Sequence, residues 1–485
     1  MAVGPTLGTG LFIGSGQALA VGGPASLLVA YVFISLLVYC LTTAAAEIAA
    51  HMPVRDGTLL SHTYRYGSVH LGFALGYLRW YTLALLASFE IINAMVNLAL
   101  WEPGTRVTIR IAIVAGVIFL FNMLPERVFK RTEAFFTGVK LLTTIGLILL
   151  SVFLAARGIP GTSIRGFYYW RHPGAVNRYL MPGYLGQFLG LVQCVLYSTI
   201  LFIFSPELTV GRAEKADTDT GFNILRVAQI DNIHLCVLYI LSGLAVGVMS
   251  PSNELLLTNY GAGAGLSPYV VGVRRSQIRA LPVIATTLIF FSSVASARSF
   301  LFMSSRTLCS MAEAGHAPAL FKNRNGWGVP YASVMASAMF SSFAFLSLRL
   351  SVSVVFNFLL YFITTSGYIS WLCLCIVYLR FRRATKTQGF VCVHQTFIQP
   401  LGTYFAMLVC ASLSLANILM TVVPARLTIR NPVAVYLGAI TFLLLYIGHY
   451  AKASMAQVPA TDTLTMEHCR HPTENPHPSI PSLGH

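Results

Sequence analysis

The sequence predicts an all-α polytopic membrane protein, and three observations carry that prediction. Of 485 residues, 56% are hydrophobic and only 10% are charged, against about 25% charged in a soluble domain. The apolar residues gather into twelve runs, most of them near the roughly 20 residues a helix needs to cross the hydrocarbon core. The first run is interrupted by a cluster of glycines and hydroxyls, Thr6-Leu-Gly-Thr-Gly-Leu-Phe-Ile-Gly-Ser-Gly16.

That interruption lies in span one, residues 6–24. Each interior glycine costs a helix about 1 kcal/mol against alanine. In lipid, a broken helix leaves unpaired N–H and C=O groups, which persist only where the break faces protein or water. Gly10 and Gly14, four apart, suit close helix packing. The whole cluster of Gly8, Thr9, Gly10, Gly14 and Ser15 fits an unwound segment better. Its amides and hydroxyls suit an anionic group such as a carboxylate.

The remaining spans follow in order. Spans two to five cover 27–50, 71–101, 109–124 and 133–156. Spans six to nine cover 185–211, 231–250, 282–312 and 331–348. The last three cover 352–379, 398–421 and 432–450. The domain is therefore expected to occupy residues 1–451. The Pro-, His- and Thr-rich stretch 452–485 reads as a disordered cytoplasmic tail.

Orientation comes from the basic residues. Lys130, Lys215, Lys322, Lys386 and Lys452 all fall on one side, as does the run Arg380-Phe-Arg-Arg-Ala-Thr-Lys386. That side is the expected cytoplasm, with both termini there. The loop 157–184 opposes this with Arg157, Arg165, Arg171 and Arg178 on the outer side. The net charge of +16 is thus a topology signal between apolar runs, and nucleic acid is not an expected partner.

Charged groups at bilayer depth are costly and usually functional. Glu90 sits centrally in span three, Lys140 in span five and Glu207 in span six. These three are expected to act in function. Arg79, Arg298 and Glu47 are expected to hold the bundle together. Span six carries a second disturbance at Phe204-Ser205-Pro206, because proline removes a backbone donor. Spans one and six occupy matching positions in two five-helix halves, and matched interruptions point to a binding site at the midplane.

The nine cysteines follow no disulfide or metal spacing and read as small packing residues. There is no GxxxxGK[ST], HExxH or GxSxG motif. An enzyme is not expected, nor a cofactor or metal, and any transport has to draw on a gradient.

Several segments together resemble the fungal-type amino-acid permeases of the amino acid–polyamine–organocation superfamily. They are Gly8-Thr-Gly-Leu-Phe-Ile-Gly-Ser-Gly16, Ala46-Glu-Ile-Ala-Ala-His-Met-Pro53, Phe89-Glu-Ile91 and Glu133-Ala-Phe-Phe-Thr-Gly-Val-Lys140. Further on come Gly166-Phe-Tyr-Tyr-Trp-Arg-His-Pro-Gly174, Ser304-Ser-Arg-Thr-Leu308, Gly326-Trp-Gly-Val-Pro330, Ile369-Ser-Trp371 and Tyr378-Leu-Arg-Phe-Arg382.

The resemblance implies a twelve-helix fold with a five-plus-five inverted repeat, broken helices one and six, and proton-coupled amino-acid uptake across the plasma membrane. It implies that Gly8, Thr9, Gly10, Gly14 and Ser15 bind the substrate carboxylate. Phe204 and Ser205 then serve the ammonium group, with Phe204 as a gate. Glu207 and Glu90 match acidic family positions, and Lys140 matches a proton-exchanging lysine. Ser205-Pro206 stands where the family pattern has Gly-Thr. The resemblance also implies a cytoplasmic segment before helix one, whereas Met1 here lies almost inside it. A non-transporting amino-acid sensor on the same fold, or an inactive truncated permease, is the alternative reading.

Overall fold

The glycine cluster opens the described chain. The computed structural model describes residues 10–51, 59–98, 107–158, 166–215, 221–258, 266–275, 280–348, 352–389, 395–422 and 430–455. Gly10–Gly14 form a single π-helical turn, a wide turn that recurs at functional sites. Helix α1 (Ser15–His51) follows and contains spans one and two. They part at Gly23, whose backbone leaves the helix at φ 82°. A Cβ there would come within 2.7 Å of the Ala175 carbonyl, so this tight crossing requires glycine. Pro24 then starts the second arm. The loop around 175–177 satisfies the groups freed by the turn: Ala25 N–H donates to Ala175 O at 2.9 Å, and Asn177 N–H donates to Gly22 O at 3.0 Å.

Span three is α2 (Val69–Leu98), span four is α3 (Val107–Asn122) and span five is α4 (Glu126–Arg157). Span six is split into α5 (Gly183–Thr199) and α6 (Ser205–Lys215) by the non-helical turn 200–204. Span seven is α7 (Gly221–Met249). A short helix, α8 (Pro268–Arg275), precedes span eight, α9 (Ala280–Glu313). Span nine is α10 (Tyr331–Met339), tightening into a 3₁₀ stretch over Phe340–Leu348. The last three spans are α11 (Val352–Thr387), α12 (Leu401–Val422) and α13 (Arg430–Met455). Helix α13 runs past residue 451, and 456–485 lies outside the described residues.

The packing pairs elements five spans apart. The most extensive interface joins α2 to α9, spans three and eight. Next come α1 with α7 and then α1 with α5, the first half of span six; α1 also packs on α6, the second half. This is the five-plus-five arrangement, with one layer built on spans one, two, six and seven and another on spans three and eight. Seven helices among the described residues are long and apolar enough to cross a membrane on their own. Within α11 the most apolar stretch is 83% buried, whereas that of α4 is 28% buried. Helix α11 is therefore central, and α4 leaves most of its apolar stretch exposed on the outside of the bundle.

Candidate functional site at the two helix breaks

The two interruptions meet. A Cβ placed on Gly14 would stand 4.0 Å from Cγ2 of Ile200, the first residue of the span-six turn. Leu11 and Phe12 on one side and Phe202 on the other are fully buried, so the junction is inside the protein. Helix α8 closes one end of it: the Phe12 and Tyr269 rings meet edge to face at 6.1 Å, and a Cβ on Gly16 would lie 3.3 Å from Pro268. Tyr269 is itself anchored by a 2.5 Å bond to Ser242 Oγ.

Span six breaks before its proline. Leu201 N–H reaches Ser198 O at 3.3 Å, Phe202 N–H reaches Thr199 O at 2.9 Å, and Ser205 N–H reaches Phe202 O at 2.9 Å. These short-range bonds replace the helical i→i−4 ladder. Pro206 is the second residue of α6. In a first turn its missing N–H costs nothing. Three carbonyls are released by the turn. That of Ile203 accepts the Trp371 indole N–H at 3.0 Å. Those of Ile200 and Leu201 receive no amide hydrogen among the described residues. The Ser205 hydroxyl is buried and has no hydrogen-bond partner among them. A buried junction with two open carbonyls and an open hydroxyl is suited to a ligand that brings N–H donors.

In span one, Gly8 and Thr9 lie outside the described residues, Gly10 opens the π-helical turn, and Gly14 closes it against Ile200. Ser15 is buried, and its hydroxyl donates to Leu11 O at 2.6 Å. It serves a carboxylate only by re-aiming that proton.

The helices also carry two sets of buried charges, of which the first lies at the span-six break. In the first, Arg79 of α2 forms an ion pair with Glu207 of α6, their side chains 11% and 9% exposed. The Arg79 guanidinium also stands 5.9 Å from the Phe204 ring centre, within cation–π range. The pair thus ties span three to the C-terminal edge of the span-six break. In the second set, Lys140 of α4 is buried and donates to Ser296 Oγ of α9 at 2.7 Å. Glu133, Glu90 and Arg298 all lie within electrostatic reach of its ammonium group. Arg298 pairs with Glu133, which also accepts from Ser299 Oγ at 2.7 Å. The Arg298 guanidinium stacks 4.3 Å from the Phe129 ring centre.

Glu47 belongs elsewhere. Near the end of α1 it accepts from Tyr378 Oη at 2.5 Å and from Thr396 N–H at 2.6 Å, and so fastens α1 to α11. Sequence reasoning left three groups without their partners: Trp371, which holds a carbonyl of the break; Arg79, which neutralises Glu207; and Ser296, which receives Lys140. An apolar groove of about 630 Å³ between α1, α5 and α12, lined by Phe33, Val192 and Leu413 among others, lies outside this junction.

A π-helical turn in span one that meets the split in span six is an arrangement suited to a membrane transporter. The amino acid permease family matches residues 1–457, and the chain belongs to that family. A proline-specific permease of Emericella nidulans is 34% identical, over 96% of this chain and 86% of that protein. A proline-specific permease of Saccharomyces cerevisiae is 33% identical, over 93% of this chain and 73% of that one. The fold is shared with a manganese transporter of Eremococcus coleocola at a TM-score of 0.57 and 16% identity, covering 94% of both chains. The chain is thus an integral, multi-pass amino-acid transporter.

Proposed function

We propose that this permease takes up amino acids of no net charge, proline first among them, across the plasma membrane together with a proton. The observation that carries the reading is the junction of Gly14 with Ile200, where two buried carbonyls and the Ser205 hydroxyl are open. The substrate carboxylate lies against the glycine segment of span one, at Gly8, Thr9, Gly10, Gly14 and Ser15. Its ammonium lies against the Ile200 and Leu201 carbonyls, with Ser205 beside it. A secondary ammonium carries two N–H groups, which match two open carbonyls. A primary ammonium carries three, and the third finds only the Ser205 hydroxyl in place of a carbonyl. The proline-specific relatives support the same substrate.

Alternating access follows from where the breaks lie. Spans one, two, six and seven pack as one layer, and spans three and eight as another. Rocking of one layer on the other exposes the junction to each side in turn. Phe204 stands at the C-terminal edge of the break as the gate, and Glu207 beside it is held by Arg79. Lys140 and Glu90 share a network between α2, α4 and α9. A proton exchanged at Lys140 changes the charge that network presents between the layers. Both termini lie in the cytoplasm.

The test is uptake of labelled proline by a host lacking its own proline permeases, with and without a collapsed proton gradient. The reading requires saturable uptake that fails when the gradient is removed. Absence of uptake for proline and every other neutral amino acid, in a protein shown to reach the surface, would sink it.

A further inference from the structure

The helices carry two buried charge sets: Arg79 with Glu207, and Arg298 with Glu133 in reach of Lys140 and Glu90. The Arg79–Glu207 pair stands at the span-six break, because Glu207 is two residues past Ser205 and Arg79 stands over Phe204. Both side chains are about nine-tenths buried, so neither charge is screened by solvent. A carboxylate in such a place attracts any cation that can reach it, unless it is already neutralised.

We infer that Arg79 sets the charge selectivity of the site: by cancelling Glu207 it restricts the junction to substrates of no net charge. The inference rests on the reading that the amino acid sits at the two breaks. Arg79 belongs to α2, in the layer that packs on α9, so it does not move with α6 as part of one helix. It acts on the substrate through Glu207, as a selectivity and positioning residue. Without the guanidinium, Glu207 stands as an uncompensated anion beside Phe204 and Ser205. A side-chain ammonium, as in lysine, then takes the place of Arg79. Without the carboxylate, Arg79 is the uncompensated charge, and it favours a substrate with a second carboxylate.

The experiment is parallel uptake of labelled proline, lysine and glutamate by wild type, Arg79→Met, Arg79→Lys, Glu207→Gln and the double variant Arg79→Met/Glu207→Gln, each corrected for surface abundance. For Arg79→Met, the lysine-to-proline ratio of kcat/KM is expected to rise at least tenfold. For Glu207→Gln, the glutamate-to-proline ratio is expected to rise. Arg79→Lys and the double variant are expected to stay near the wild-type ratios, since both leave the pair neutral. A purely structural pair lowers uptake of all three substrates alike. Equal loss of all three in both single variants, or unchanged ratios in variants that still transport, overturns the inference. Failure of the wild type to take up any neutral amino acid overturns the parent reading instead.

Discussion

Trp371→Phe tests the use of the span-six carbonyls. The Trp371 indole N–H donates to Ile203 O at 3.0 Å, and the side chain is 2% exposed. Phenylalanine keeps an aromatic ring where the indole packs edge to face against Tyr368, at 6.0 Å between centres. It removes the donor and leaves a buried carbonyl unpaired, which costs about 1–3 kcal/mol when nothing else satisfies it. The account supplies a replacement donor: the third N–H of a primary ammonium. A hydrogen bond to a charged group contributes about 1.5–3 kcal/mol, and each 1.4 kcal/mol is about tenfold. Primary amino acids such as alanine should therefore gain roughly tenfold to a hundredfold on proline in kcat/KM. The assay is paired uptake of labelled alanine and proline, wild type against variant, at matched surface abundance. An alanine-to-proline ratio unchanged within about twofold refutes the assignment of the ammonium to these carbonyls.

Three further outcomes are expected. Lys140→Met should retain measurable proline exchange while losing the dependence of uptake on external pH; retained pH dependence removes Lys140 from coupling. Glu133→Gln leaves Arg298 buried without its anion and should lower stability by about 3–5 kcal/mol, read as reduced thermal stability in detergent, with Glu133→Gln/Arg298→Met recovering much of the loss. Gly367→Ala places a methyl 2.9–3.0 Å from three atoms of Ile203 and should depress proline uptake by shifting the break; Gly146→Ala, with nothing within 4 Å, should leave it unchanged.

The spans were legible because the bilayer demands long apolar runs, and their edges shifted where that demand ends. Helix α4 begins at Glu126 rather than 133, and α7 at Gly221 rather than 231, because their first turns carry charged and polar residues. Hydropathy marks the part of a helix in lipid, not the helix itself. In span one the glycines coincide with a π-helical turn at Gly10–Gly14, and Gly8 and Thr9 lie outside the described residues. In span six the break lies ahead of the proline: Pro206 sits comfortably in the first turn of α6, and the chain leaves the helix just before it, at 200–204. Arg79 and Arg298 were readable as buried cations needing partners. Which carboxylates they meet was not, because Glu207 and Glu133 reach them across helix interfaces that no local spacing encodes. Trp371 was hidden for the same reason, as one aromatic among many in an apolar helix.

Substrate protection at Ser205 tests the central claim most directly. Cysteine is introduced as Ser205→Cys, and alkylation by a small thiol reagent is followed in membranes, with wild type as the baseline for the native cysteines. The account predicts that saturating proline slows modification of the new thiol, and that an amino acid the protein does not transport leaves the rate alone. Modification at an unchanged rate under saturating proline, in a variant that still transports it, would contradict a substrate site at the two helix breaks.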